Sequence, residues 1–333
     1  MNLRNILLLS AFLPTVLSAQ NPVIRDMFSA DPTARVFNGK VYLFPSHDIH
    51  QPYPLPQGQR PNWFCMEDYH VFSSDNLTDW TDHGVILRQE DVPWGNPTAY
   101  SMWAPDCVER NGKYYFYYSG DQGERKAIGV AIADSPTGPF VDFGHPIVDK
   151  RPKGQKNGQQ IDVDVFTDDD GQSYLYWGNG YMAGAKLNAD MTSIDTTTIT
   201  ILTPRGGTLK DYAYREGTYV FKRKGIYYFL WSVDDTGSPN YHVAYGTATS
   251  PLGPITVAEQ PVILQQRPEE HIYGTAHNSV LQVPGKDRWY VVYHRINPAY
   301  LDKKDGPGFH REVCIDRMEF EKDGRIKPVT PTN

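Results

Sequence analysis

Arg35-Val-Phe-Asn-Gly-Lys-Val-Tyr-Leu43 reads as two short apolar strands joined by Asn-Gly, a dipeptide suited to a tight turn because its residues tolerate positive φ. The same pattern returns at Val108-Glu-Arg-Asn-Gly-Lys-Tyr-Tyr-Phe116 and at Val165-Phe-Thr-Asp-Asp-Asp-Gly-Gln-Ser-Tyr-Leu175. It returns again at Val220-Phe-Lys-Arg-Lys-Gly-Ile-Tyr-Tyr-Phe229 and at Leu281-Gln-Val-Pro-Gly-Lys-Asp-Arg-Trp-Tyr-Val291. The turn glycines Gly39, Gly112, Gly171, Gly225 and Gly285 are 73, 59, 54 and 60 residues apart. Such intervals hold about four strands and their loops, which is one propeller blade.

A second marker keeps the same register. Asp134-Ser-Pro-Thr-Gly-Pro-Phe140 in the second unit matches Thr249-Ser-Pro-Leu-Gly-Pro-Ile255 in the fourth, and Asp75-Asn-Leu-Thr-Asp-Trp80 takes that place in the first. Helical periodicity is nowhere sustained. The sequence therefore predicts an all-β chain, a five-bladed β-propeller in one domain over residues 20–333.

Residues 1–19 carry an apolar run from Ile6 to Leu17 that closes on Ser18-Ala19, the pattern of a cleaved secretory signal peptide. The run is too short to span a bilayer comfortably, and no cysteine follows it for lipid attachment. The expectation is a secreted or periplasmic protein without a membrane anchor. Cys65, Cys107 and Cys314 show neither C-x-x-C nor zinc-ligand spacing and read as core thiols with at most one bridge. A formal net charge of -7 with no basic run speaks against a nucleic-acid or anionic-membrane partner. The 22 tyrosines supply β-structure and surfaces on which a neutral glycan can stack.

The start of each repeat's first strand bears a polar residue. Asp31 lies eight residues before Gly39, Asp106 six before Gly112, Asp162 nine before Gly171, Glu216 nine before Gly225 and His277 eight before Gly285. Inner strands of a propeller surround its axis, so equivalent positions converge there. Gathered carboxylates repel one another and resist desolvation, a cost that structure alone does not call for. Hydrolysis of a glycosidic bond does call for it: one carboxylate activates water or attacks, and a protonated one donates to the leaving oxygen.

Ser29-Ala-Asp-Pro-Thr33, Ile161-Asp162 leading to Phe166-Thr-Asp-Asp-Asp-Gly171, Tyr214-Arg-Glu-Gly217 and Gly274-Thr-Ala-His-Asn278 resemble the successive blade motifs of glycoside hydrolase family 43. The resemblance covers essentially the whole chain after residue 19. It implies Asp31 as general base, Glu216 as general acid and Asp162 as the carboxylate that orients Glu216 and raises its pKa. It also implies inversion of the anomeric centre, with base and acid about 6.5–9.5 Å apart to admit water. Where the family often has Ile-Asp-Pro this chain has Ile161-Asp-Val-Asp164, so Asp164 is a rival for the third role; strand alternation puts both on one face.

Further expectations rest on the same resemblance. His277 is a hydrogen-bonded core histidine, a contact to the substrate, or a neighbour, through water, of a structural calcium ion in the central channel; no other cofactor is required. Trp103 is placed to stack on a pentose or to pack its blade. Arg295 is set either to bond sugar hydroxyls or to hold an acidic neighbour. Trp63, Phe64 and Trp94, in the segments 49–68 and 88–101, are candidates for walls that make the enzyme exo-acting. The implied substrate is a plant polysaccharide or oligosaccharide yielding α-L-arabinofuranose or β-D-xylose. The alternatives are an endo-arabinanase with an open groove and a non-catalytic glycan-binding propeller, which has no need of Asp31, Asp162 and Glu216 together.

Overall fold

The computed structural model of the protein describes residues 20–50, 64–123, 125–301 and 310–333. The expected leader, residues 1–19, lies outside them, as does Trp63. Five antiparallel sheets follow one another along the chain and form a five-bladed β-propeller. Blade 1 comprises β1 (Ser29–Phe37), β2 (Lys40–His47), β3 (Asp68–Ser74) and β4 (Thr81–Arg88). Blade 2 has β5 (Trp103–Arg110), β6 (Lys113–Asp121), β7 (Lys126–Ala133) and β8 (Val141–Asp142); blade 3 has β9 (Asp164–Thr167), β10 (Ser173–Trp177), β11 (Ala183–Lys186) and β12 (Thr200–Ile201). Blade 4 has β13 (Glu216–Arg223), β14 (Ile226–Val233), β15 (His242–Ala248) and β16 (Thr256–Leu264). Blade 5 has β17 (Tyr273–Gln282), β18 (Trp289–Ile296) and β19 (Arg311–Met318).

The repeated signature is the hairpin between each blade's first two strands. Phe37 pairs with Lys40 and Arg110 with Lys113, leaving Asn38-Gly39 and Asn111-Gly112 as two-residue turns with both residues at positive φ. That conformation matches the right-handed twist of the strands it joins.

The core lies between blades, and this explains the aromatic runs. In a strand with both faces covered, alternate residues serve different neighbours. Phe116 and Tyr118 pack with blade 1, whereas Tyr117 packs with Trp177 and Val165 of blade 3. Tyr176 turns the other way, toward Phe229 and Trp231 of blade 4. The ring closes at the chain ends: Val23 N–H donates to Val313 O at 2.9 Å, and the Asn21 side chain accepts from Ile315 N–H at 2.8 Å, so residues before β1 line the outer edge of the three-stranded fifth blade. Cys107 and Cys314 are buried thiols without a bridge.

The inner strands share a bulge that the repeat spacing only partly revealed. Asp31, Ala104, Asp162 and His277 have φ of 46°, 39°, 61° and 47°, and Gly217 has 64°. Of the five register shifts described between first and second strands, four fall there: Ala30/Thr33, Trp103/Asp106, Glu216/Tyr219 and Ala276/Ser279. The equivalent set is therefore Asp31, Ala104, Asp162, Gly217 and His277. Asp106 is displaced from it by two residues and Glu216 by one. Asp106 corresponds instead to Asp164, one layer further down the channel.

In that layer Arg35 holds both carboxylates. Its Nη2 lies 2.5 Å from Asp106 Oδ2 and 3.2 Å from Asp164 Oδ1. Asp106 Oδ2 also accepts the Val165 N–H at 2.7 Å, and Asp164 Oδ2 the Val220 N–H at 2.8 Å, so each aspartate ties its blade to the next. Removing one partner from a buried ion pair leaves an uncompensated charge, at roughly 3–5 kcal/mol. Arg35→Met is expected to lower unfolding stability by about that amount, read as a fall in urea midpoint at unchanged slope.

Candidate active site

The channel mouth holds a pocket of about 140 Å3 among the described residues, lined by Asp31, Asp162 and Glu216 together with Phe64, Trp103, His277 and Arg311. The three carboxylates are 5–6% exposed. Each owes its place to the bulge. Asp31 and Asp162 occupy the left-handed position itself, and Glu216 stands immediately before Gly217. A left-handed residue withdraws its N–H from the strand ladder, and a buried N–H must find another acceptor.

The neighbouring blade supplies it. Ala104 N–H donates to Ser46 Oγ (2.8 Å), Asp162 N–H to Ser119 Oγ (3.1 Å), His277 N–H to Ser232 Oγ (3.0 Å) and Asp31 N–H to His294 Nδ1 (3.1 Å). Ser46, Ser119, Ser232 and His294 stand at one position, each paired with the residue before the bulge. Blade 3 has Gly178 there, whose N–H bonds Ile161 O. With no side chain available, Asp162 Oδ2 takes the Gly217 N–H at 3.2 Å. This bond points Asp162 at the residue next to Glu216.

Asp31 is surrounded by donors. Burial alone would raise its pKa; Arg311 Nη1 at 2.8 Å, with His277 Nδ1 at 3.2 Å beside it, outweighs burial and holds the carboxyl well below the usual range. Ser46 Oγ donates a further bond at 2.9 Å. Arg311 is itself fixed by Asp48, with Nη2 to Oδ1 at 2.7 Å and Nε to Oδ2 at 2.9 Å. Burial lowers the pKa of His294 to about 4, so its ring is neutral and can accept the Asp31 N–H. Burial also lowers that of His277.

Glu216 and Asp162 are shifted the other way. Burial raises Glu216, with the negative charges of Asp235 and Asp31 adding to it. Two groups restrain the rise: Arg215, whose Nε lies 3.9 Å from Oε2, and Tyr241, whose Oη donates to Oε1 at 2.9 Å; Asn179 Nδ2 also donates to Oε2. Burial, with the charges of Glu216 and Asp31, pushes Asp162 well above the ordinary carboxylate range. Two buried acids this close titrate as a unit, and the pair keeps a proton where a free carboxyl has lost its own. The pocket thus sets a permanently ionised carboxylate against a protonated pair.

The structure separates the remaining candidates. Asp164 is occupied by Arg35 and the Val220 N–H below the pocket, and Asp162 alone of the two lines it. Trp103 lines the pocket; Lys126 Nζ sits 4.1 Å from its ring centroid and its Nε1 donates to Phe64 O at 2.8 Å. Trp94 packs inside blade 2, stacked on Tyr118 at 6.0 Å and close against Gly120 and Gly129. Arg295 does not reach the pocket. Its Nε donates to Glu312 Oε1 at 2.7 Å, and Nη1 to Asn333 Oδ1 at 2.6 Å and Thr332 O at 3.1 Å, so the acidic-neighbour alternative describes it. The reason is alternation along β18: His294 faces Asp31, and the next residue points away. Arg311 on β19 is the pocket's arginine. It had no sequence signal, whereas the serines did: Ser46, Ser119 and Ser232 each follow a turn glycine by seven residues.

A calcium ion at the axis is compatible with the residues present. Below the pocket a space of about 20 Å3 is lined in part by Asp31, Asp162, His277 and Asn278, and both polar side-chain atoms of Asn278 are buried without a partner. The oxygen donors lining that space are Asn278 Oδ1 and the Asp31 and Asp162 carboxylates, and room for about one water would leave most of the six to eight ligands of a calcium ion to such protein groups.

Arg311→Met is expected to raise the Asp31 pKa, whereas Arg295→Met leaves it unmoved. Carboxyl titration of 13C-aspartate-labelled protein followed by NMR distinguishes the two.

The sequence profile of the glycosyl hydrolases family 43 matches residues 19–326. The chain is 32% identical to a xylosidase/arabinosidase of Humicola insolens, over 93% of this chain and 99% of that protein. It is 33% identical to a β-D-galactofuranosidase of Aspergillus niger, over 94% and 86%. Among solved structures, a β-xylosidase/α-arabinofuranosidase from a compost microbial metagenome, in complex with xylotriose and calcium-free, superposes with a TM-score of 0.77 at 29% identity, covering 95% of this chain and 98% of that one. With five blades, a carboxylate pocket at their axis and a family match along nearly its whole length, the chain belongs to glycosyl hydrolases family 43 and is a glycoside hydrolase.

Proposed function

We propose that this protein is an exo-acting, inverting hydrolase that releases α-L-arabinofuranose or β-D-xylose from the side chains or ends of plant hemicellulose or pectin. The observation that carries this reading is the opposite polarisation of Asp31 and the Glu216–Asp162 pair across one small pocket. Ionised Asp31 takes a proton from water as it attacks the anomeric carbon, and Glu216 delivers its proton to the departing oxygen. Asp162, buried beside Glu216, shares that proton with it: the last proton of the pair leaves only when two adjacent charges form, which keeps it in place where a free carboxyl has lost its own. Arg311 and His277 fix the Asp31 carboxylate, and Trp103 and Phe64 offer the apolar surface that a sugar face requires.

The pocket of about 140 Å3 among the described residues is a compact space at the channel mouth and not a long groove. That supports release of monosaccharide. The named relatives act on pentosides and on a galactofuranoside, so the ring that fills the pocket is decided by a panel of aryl α-L-arabinofuranoside, β-D-xyloside and β-D-galactofuranoside. Linear arabinan separates the endo alternative: oligosaccharide products would overturn the exo assignment. The leader-like residues 1–19 support export to the periplasm or medium. Calcium, where bound, would add positive charge beneath Asp31 and so favour its ionised form.

Glu216→Gln is expected to cut turnover by at least about 100-fold, the usual contribution of a general acid, on whichever aryl glycoside the wild type cleaves. Product anomers followed by 1H NMR should appear inverted; retention would exclude Asp31 as a base acting through water. Because activity needs Asp31 ionised and Glu216 protonated, the alkaline limb of kcat/KM reports the raised acid. Asp162→Asn removes a charge that holds the proton on, so that limb should move to lower pH.

A further inference from the structure

We propose that His47, Asp68 and His70, on the outer part of blade 1, form a binding site for a zinc ion. The three offer one donor atom each within 4.8 Å of one another. His47 ends β2, and Asp68 and His70 are two residues apart on β3, so alternation sends both toward the same face. The rings of His47 and His70 meet edge-on with centroids 5.3 Å apart, which leaves ring nitrogens free to converge from two directions.

The surroundings resemble the support a ligated metal needs. His70 Nδ1 lies 3.1 Å from both oxygens of Asp82 on β4, an arrangement that fixes the tautomer and leaves the Nε2 lone pair available. Asp68 Oδ2 faces Arg88 Nη1 at 3.5 Å, while Oδ1 lies 2.7 Å from His47 Nδ1. An ion would replace the proton shared by that pair, and the separation would open to roughly 3.3 Å, the span of two ligands on a tetrahedral zinc. Two imidazoles and one carboxylate favour zinc over calcium or magnesium, which take oxygen ligands. Partial exposure, 22% for His47 and 18% for His70, leaves the fourth position to water.

The site lies apart from the catalytic pocket yet brackets its wall. His47 precedes Asp48, which anchors Arg311, and Asp68 follows Met66, which lines the pocket. A zinc ion here would clasp β2 to β3 across the long insertion between them.

The test uses the untagged full chain, stripped with chelator and titrated with zinc chloride in a calorimeter. One saturable equivalent is expected, together with a melting temperature that rises with zinc. His70→Gln should weaken binding at least 10-fold and abolish the thermal shift. Asp82→Asn, which leaves the ligands themselves in place, should weaken it about 10- to 100-fold; it also serves if His70→Gln fails to fold by circular dichroism. No saturable binding in the wild type overturns the proposal. Affinity unchanged in the folded variants overturns it too, since the ion would then sit elsewhere.

Discussion

The ring of hydrogen bonds from each blade's bulge to the neighbouring blade is the constraint on which the rest depends. A non-glycine residue at positive φ is held at a cost of order 1–3 kcal/mol, and here four such residues and one glycine recur at the same place in five inner strands. Each costs less because its N–H is not orphaned: a serine, histidine or aspartate of an adjacent blade accepts it. The same bonds join blade to blade at the axis. Stability and catalytic geometry therefore rest on one set of interactions.

Blade 3 shows how function enters that scheme. Its second strand is followed by Gly178, where blades 1, 2 and 4 have serine, and the missing acceptor is replaced by Asp162. The carboxylate is thereby fixed beside Glu216 with one oxygen committed to a backbone donor. Below it, Asp106 and Asp164 do in the second layer what the serines do in the first, with Arg35 neutralising them. Carboxylates of like sequence context thus diverge in role according to which layer they reach and whether a guanidinium meets them there.

The polarisation of the pocket follows from where the cations stand. Arg311, tied to Asp48, delivers its charge to Asp31, and among the described residues no cation approaches Asp162 as closely. Two aspartates at equivalent backbone positions, both buried, are consequently driven to opposite ends of the carboxylate range.

Local sequence alone determined the strands, the turns and the number of blades, because Asn-Gly turns and apolar alternation act over a few residues. It also determined that Asp31, Asp162, Glu216 and His277 begin inner strands, since a count of eight or nine residues back from the turn glycine is a local quantity. That same count of eight, applied to Gly112, selects Ala104 and not Asp106. Only the tertiary structure decided what meets what. Arg311 reaches Asp31 across 280 residues because blade 5 closes on blade 1, and Arg295 turns away because its neighbour His294 takes the inward side. The charge states of the carboxylates belong to the structure for the same reason: they depend on burial and on partners from other blades, and no spacing in the chain encodes either.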